Sequence, residues 1–435
     1  MGRAAIRRLW PIGAAGMAFA PLPAVAAPPP ADYRIDLRLA PRDARWSATV
    51  RATNIACEGA VARLHLHREI EISEALVDGR RVRPILDPPG APRFWIDAAR
   101  AFDVPCPRRS LVLRYSGPGQ LHPDGRNQIS ATLVELSLYG AWYPLVRIDD
   151  PIRWRLRTSL PRGWRFASPA EVTRRGAELT LRSDQPADIV LIASPLFDEE
   201  RVSAGGTTVR LLVNGTIGPD QRAVARAQAA AAADMAGWAS GILGPPRPGA
   251  PARPQLIFTP RGGSLSYSRL PLIILREGDL RAPPRNRPAM LTVRHEIAHF
   301  WSRAPQTVDW LNEGVAEYLA LRRTGEVDGA ATLDRVIADY RKQIAAAGPA
   351  EPILAGPEQR DFLNTYARPA LLIEALARRH GAADVARLLA ALFAMGADQS
   401  VDRLLALVEQ RFGADERATV AACLAARDWT TPCGG

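Results

Sequence analysis

Arg294-His295-Glu296-Ile297-Ala298-His299-Phe300-Trp301 is the stretch whose residue types and spacing could do chemistry. On a helix, His295 and His299 stand four residues apart and leave the same face, so both imidazoles can hold one zinc ion. Glu296, between them, can reach a water on that metal and take its proton. The chain has only six histidines in 435 residues, which makes a chance HExxH rare on composition alone. A buried helix with two hydrogen-bonded core histidines is the bland alternative, and the residues downstream of the motif weigh against it.

A catalytic zinc needs a third protein ligand and an open position. Trp310-Leu311-Asn312-Glu313-Gly314-Val315-Ala316-Glu317-Tyr318 offers two carboxylates at i and i+4 of the next helix, so Glu313 and Glu317 can both face the HExxH helix. One can bind the metal and the other can accept the N–H of a ligating histidine. Asp309 is a candidate N-cap for that helix. Such a carboxylate pair is often a solvated helix face, but Trp310, Leu311, Val315, Ala316, Tyr318 and Leu319 surround this one with apolar side chains.

Two kinds of element must position these groups. From Tyr33 to about Asp198, short alternating or apolar runs are separated by Pro, Gly and Asp turns, which reads as an antiparallel β-sandwich or saddle. His65 and His67 share one strand face there, with no further ligand signal near them. The pattern changes near Gly205. Strands are predicted at Thr207–Val213, Gln255–Thr259 and Leu270–Arg276, with an Ala-rich helix at Pro219–Leu243 between Gly218 and Gly244-Pro245. Asn286 to Arg303 should be the HExxH helix, with the motif in its middle. Helices are then expected at 311–323, 330–347, 359–379, 383–395, 400–412 and 415–426.

HExxH followed by W-L-N-E-G resembles the gluzincin zinc metallopeptidases, and the M1 aminopeptidase group most of all. The resemblance implies one Zn2+ with Glu313 as third ligand, Glu317 as the acid that supports His295, and Glu296 as general base. Thr365-Tyr366-Ala367-Arg368-Pro369 is similar to that group's Y-x-K-G segment, which implies that Tyr366 donates a hydrogen bond to the oxyanion. Arg368 and Pro369 replace the Lys and Gly, and only thirteen residues separate His299 from Glu313. Gly263-Ser264-Leu265-Ser266-Tyr267 is the positional counterpart of the group's G-x-M-E-N segment, implying substrate contacts by Gly263, Ser264 and Ser266. Ser266 stands where a glutamate would bind a free α-amino group, so capture of a cationic N-terminus is poorly supported, although Leu270–Arg276 could hold a peptide by edge pairing. The implied architecture is a multi-domain chain of α and β structure: a β-rich domain at 27–200, then a thermolysin-like α+β catalytic domain at 201–435 ending in helices.

The implied activity is peptide-bond hydrolysis on a peptide or protein substrate. Two alternatives stay open: an aminopeptidase with a non-standard amino-group anchor, and a catalytically silent zinc-fold module that binds peptide or envelope partners. The formal net charge is +11, with Lys342 the only lysine. Arginine is spread along the chain without basic runs, which reads as residue usage rather than a nucleic-acid footprint. Residues 1–26 read as an export signal, with Arg3, Arg7 and Arg8, a short apolar stretch and Ala24-Val25-Ala26. No later window is long and apolar enough to span a membrane. The expectation is an exported, periplasmic protein with disulfides Cys57–Cys106 and Cys423–Cys433.

Overall fold

The structure, a computed structural model, describes residues 29–88, 96, 98–121, 126–146, 152–184, 188–246, 253–261, 266–281, 288, 290–302, 304, 308–354, 361–429 and 433. Residues 1–26, with the expected export signal, lie outside them. Alternation builds the N-terminal part. In strand Ala31–Ala40, Tyr33, Ile35 and Leu37 are buried while Arg34, Asp36 and Arg38 are exposed; Ile152–Ser159 buries Trp154, Leu156 and Thr158 and exposes Arg153, Arg155 and Arg157. These strands lie in an eight-stranded sheet ordered Glu171–Arg175, Glu178–Ser183, Ile152–Ser159, Ala31–Ala40, Arg45–Thr53, Leu111–Pro118, Glu71–Val77, Arg80–Val82. All pairings in it are antiparallel except Ala31–Ala40 with Ile152–Ser159, which run parallel.

Two three-stranded sheets belong to the same part of the molecule: Val61–His67, Ala99–Pro105 and Ile85–Leu86, and Arg165–Ala167, Leu191–Ser194 and Val134–Leu136. Tyr33, Trp46, Phe102, Tyr115, Trp142 and Trp154 are prominent in their shared core. Cys57–Cys106 joins the ends of Val61–His67 and Ala99–Pro105, and Cys423–Cys433 staples the C-terminal tail, both as expected. His65 and His67 are buried rather than on a polar face; His65 Nδ1 lies 3.3 Å from the Leu145 carbonyl and the Glu69 amide donates to His67 Nδ1.

The second part begins with a five-stranded mixed sheet, ordered Phe197–Ala204, Thr207–Asn214, Gln255–Thr259, Leu272–Arg276, Tyr267–Arg269. The expected edge strand, here Leu272–Arg276, is therefore interior. Tyr267–Arg269 folds back beside it and takes the edge, pairing Tyr267 with Ile274 and Arg269 with Leu272. Helices follow as α1 (Pro219–Leu243), α2 (Leu291–Ala298), α3 (Asp309–Asp328), α4 (Ala330–Ala347), α5 (Arg368–His380), α6 (Ala382–Ala394), α7 (Val401–Phe412) and α8 (Ala414–Ala425). Pro219 and Gly244 bound α1, as their backbone preferences dictate. Among the described residues no helix is long and apolar enough to cross a membrane.

A buried ion pair couples the two parts. Arg261 Nη1 lies 3.1 Å from Glu135 Oε1, both side chains fully buried, and the Tyr267 hydroxyl donates to the same oxygen at 2.8 Å. Burial pushes the Glu135 carboxyl up, and Arg261 and the Tyr267 hydroxyl oppose that shift. Removing one partner strands the other's charge, whereas removing both does not. Arg261→Met should therefore lower stability by about 3–5 kcal/mol in urea unfolding. Arg261→Met with Glu135→Leu should recover more than half of that loss.

Candidate metal centre

Helix α2 is buried on nearly every side, with Leu291, Val293, Ile297 and Ala298 in the core. It packs against α1, α3 and both C-terminal strands of the five-stranded sheet. Arg294 ties it to the far end of α3, donating to Thr324 Oγ1 at 2.8 Å and Asp328 Oδ2 at 2.7 Å. The HExxH motif is not in the middle of this helix, as expected, but in its last turn, with His299 at the C-cap. The chain turns away there through tight bonds from Phe300 N to Ile297 O and Trp301 N to Ala298 O, and the Trp301 indole donates to the Gly244 carbonyl at 3.0 Å. That sharp exit fits the short link to α3. Asp309 is the first residue of α3 rather than its cap, which is Val308.

One face of α3 meets the two imidazoles. Glu313 Oε2 lies 3.2 Å from His295 Nε2 and 3.3 Å from His299 Nε2, and the two Nε2 atoms are 3.2 Å apart. On the other side of the ring, His295 Nδ1 lies 2.9 Å from Glu317 Oε2. An ionised carboxylate only accepts, so His295 Nδ1 donates and, in neutral imidazole, Nε2 is bare. The centre thus sets a nitrogen lone pair, a carboxylate oxygen and a second imidazole nitrogen at mutual contact, an arrangement that demands a cation. A tetrahedral zinc with ligands at about 2.0–2.1 Å has ligand–ligand edges of roughly 3.3–3.4 Å, so the donor set fits one zinc ion. Among the described residues, His295, His299 and Glu313 are the group of this kind that could hold a metal.

The charges agree. Burial works against charge on the His295 imidazole, but Glu313 and Glu317 outweigh it and hold its pKa up to about 10 without metal. Burial pushes Glu313 the other way, yet His299 and His295 hold its carboxyl well below the usual carboxylate range. Glu317 is fully buried and accepts on its other oxygen from the Tyr340 hydroxyl of α4. Glu296, one residue past His295, makes no hydrogen bond or ion pair with the described residues.

Tyr366 stands on the third side. Its ring centroid is 5.5 Å from that of His295, and Phe362 stacks on it at 5.4 Å. It lies in a widened π-turn, Leu363–Ala367, just before α5. Pro369 explains the widening, because a proline ring in continuing helix displaces the carbonyl four residues back, that of Thr365. Burial first, then Glu313 and Glu296, push the Tyr366 phenol far above its ordinary value, so it stays protonated and able to donate.

Tyr139 is a residue that sequence reasoning does not single out. It sits on a short 3-10 turn of the N-terminal part, between the guanidiniums of Arg269 (4.4 Å from its centroid) and Arg126 (5.2 Å), with its ring against Tyr267 at 5.1 Å. Burial raises its pKa, and Glu296 and Glu313 add to the rise, which places the phenol within electrostatic reach of the centre. No local pattern marks it, since 155 residues separate it from His295. Ser266 immediately precedes the edge strand Tyr267–Arg269, which packs beside α2. Gly263 and Ser264 lie outside the described residues.

No protein-family model matches the chain, and no curated protein matches it in sequence. Solved structures do match. An M1 zinc metallopeptidase from Deinococcus radiodurans aligns at 22% identity with a TM-score of 0.66, over 93% of this chain and 96% of that one. A mutant of the Deinococcus radiodurans enzyme bound to a Tyr-Ser-Ala substrate aligns at 21% identity and TM-score 0.67, over 93% and 95%. A two-domain M1 zinc metallopeptidase mutant bound to L-tryptophan aligns at 21% and 0.65, over 93% and 96%. The fold is that of the M1 zinc metallopeptidases. Its M1-like form here is the two-domain one, consistent with the few helices that follow α5.

Zinc binds neutral imidazole, so it must displace the proton that His295 carries below pH 10 in the metal-free protein. Zinc titration at pH 8 in buffers of different ionisation enthalpy should show release of at least one proton per ion, that of His295 together with any lost by a metal-bound water. Release near zero would contradict the charge state assigned to His295.

Proposed function

We propose that the protein is a zinc-dependent metallopeptidase that hydrolyses peptide bonds. The observation that carries this is the mutual 3.2–3.3 Å contact of His295 Nε2, His299 Nε2 and Glu313 Oε2, with a Glu296 that no described residue engages and a protonated Tyr366 beside it. His295, His299 and Glu313 would hold one Zn2+. The ion would supply Lewis-acid polarisation of the scissile carbonyl and a lowered pKa for the attacking water. Glu296 takes the water's proton and returns it to the leaving amine. Tyr366 donates to the oxyanion as charge develops on it, and its neutrality lets it do so at every pH where zinc stays bound. Glu317 fixes the His295 tautomer, and Tyr340 holds Glu317.

The substrate is a peptide or a protein. The solved relative holds Tyr-Ser-Ala. In this chain, Glu135 and Asp188 of the N-terminal part are engaged with residues of the strand region beside α2 and of their own part: Glu135 with Arg261 and Tyr267, and Asp188 with Arg269 at 3.1 Å and the Tyr143 hydroxyl at 2.6 Å. Ser266, standing where the resembled segment has a glutamate, leaves a free ammonium without that carboxylate and favours peptide bonds whose amino side carries no free ammonium over an aminopeptidase site. The two disulfides and the N-terminal segment 1–26 support an exported, periplasmic location, with 27–200 as the β-rich domain and 201–435 as the catalytic domain.

Glu296→Gln should abolish hydrolysis of quenched internal peptides while leaving zinc binding intact. If zinc-loaded wild type cuts neither internal nor aminoacyl reporters faster than this variant, the peptidase reading fails. Tyr366→Phe should lower kcat by about 10²–10³ with little change in KM, as expected for a lost oxyanion donor. Chelator competition should show the larger loss of zinc affinity in Glu313→Ala, and a smaller one, about 10–100-fold, in Glu317→Ala. Tyr340→Phe should weaken zinc about tenfold by the same route.

A further inference from the structure

The even spread of arginine along the sequence becomes a pattern in space. Cross-strand register puts Arg51, Arg34, Arg155 and Arg182 side by side on four consecutive strands of the eight-stranded sheet: Arg34 pairs with Arg51 on one side and with Arg155 on the other, and Arg155 pairs with Arg182. All four are exposed. At an inter-strand spacing of about 4.8 Å, the row sets like charges next to one another over roughly 14 Å. Directly opposed like charges destabilise a sheet. Among the described residues Arg34, Arg51 and Arg155 make no ion pair and Arg182 has one, to Asp184 at 2.7 Å; Asp32 and Asp36 flank the row two residues along its middle strand, and Glu171 stands opposite Arg182 at its end.

The rest of this face adds to the excess. Across its five strands from Glu171–Arg175 to Arg45–Thr53, the outward positions carry nine arginines against four carboxylates. Arg153 and Arg157 have Asp32 and Asp36 opposite them on the next strand; the central row has no acid between its members. Among the described residues the outward side chains here also include no aromatic ring. Single-stranded nucleic acid is held by base stacking on aromatics, and duplex grooves are read by inserted helices or ribbons. A broad sheet face bearing guanidiniums, serines and threonines instead matches a plane of anionic headgroups, where each arginine near the surface adds attraction that salt screens.

We propose that this outer sheet face docks the protein electrostatically on an anionic phospholipid surface. The metal centre lies on helices of the other part of the molecule. The site is independent of the peptidase reading and uses none of its residues.

Vesicle co-sedimentation of the full-length protein tests it, with phosphatidylglycerol-containing vesicles against pure phosphatidylcholine. The stripe variant Arg34→Gln, Arg51→Gln, Arg155→Gln is compared with an equal-charge control, Arg335→Gln, Arg341→Gln, Arg403→Gln, whose exposed arginines lie on α4 and α7. Wild type and control should bind phosphatidylglycerol vesicles and release them at ~0.5 M salt. The stripe variant should bind about 100-fold more weakly, from roughly fivefold for each arginine. Its thermal midpoint at low salt should equal or exceed that of wild type, since the repulsive row is gone, and this separates lost docking from lost folding. Equal losses in stripe variant and control, or no wild-type preference for anionic vesicles, overturn the proposal. So does stripe-dependent binding of an oligonucleotide without vesicle binding, which would assign the face to nucleic acid.

Discussion

Two carboxylates of α3 press against one imidazole of α2, Glu317 fully buried and Glu313 largely so, and much of the second part depends on keeping them there. Glu313 and Glu317 contact opposite nitrogens of His295, at 3.2 Å and 2.9 Å. Buried negative charge of this kind is costly unless a cation completes it. A proton on His295 does so in the metal-free protein, and a metal does so better, because it also satisfies His299. The fold therefore does not merely tolerate a cation at this point. Its interior is built with the demand for one, which is why α2 can be buried on nearly all sides while carrying a glutamate and two histidines.

The demand is met only if three helices close to within a side chain of one another, and one glycine permits it. A Cβ on Gly314 would come within 2.2 Å of Pro369 Cβ. Gly314 sits beside Glu313, and Pro369 comes just after the π-turn that carries Tyr366. The same contact thus sets how deep α5 sits against α3 and how far the phenol stands from the metal ligands. Proline supplies the widened turn and glycine the room for it. The segment that is similar to Y-x-K-G in sequence sets the Tyr366 ring 5.5 Å from that of His295 through a π-turn, with Pro369 where a glycine would be expected.

What could be read from the sequence tracks how local its physical cause is. Helix α1 is bounded by a proline and a glycine, and the boundaries read from those residues are the ones observed; α4 likewise covers the expected 330–347, between Gly329 and Gly348. The spacing of His295, His299, Glu313 and Glu317 carried their meeting, because i, i+4 geometry is local on each helix. Strands such as Phe197–Ala204 and Val134–Leu136 were missed, the first because an edge strand with exposed Glu199 and Arg201 has no apolar signature, the second because three residues make no pattern. The early end of α2 was missed because the bonds that turn the chain after His299 answer to Trp301 docking on α1, which is a tertiary contact. Tyr139 and Tyr340 reach the centre from other elements altogether, and no spacing announces them.

The arginines make the same point in reverse. Along the chain, Arg34, Arg51, Arg155 and Arg182 are unremarkable, each one outward position in an alternating strand, and composition accounts for them. Register turns them into a row, because the parallel pairing of Ala31–Ala40 with Ile152–Ser159 brings together segments more than a hundred residues apart. A sheet selected only for stability would place an acid at one of the three junctions, as it does where Asp32 faces Arg153 and Asp36 faces Arg157. The same two strands carry both arrangements, so backbone geometry does not account for the difference. What distinguishes the uncompensated row is its position at the middle of a broad exposed face, where repulsion within the protein becomes attraction toward an anionic surface.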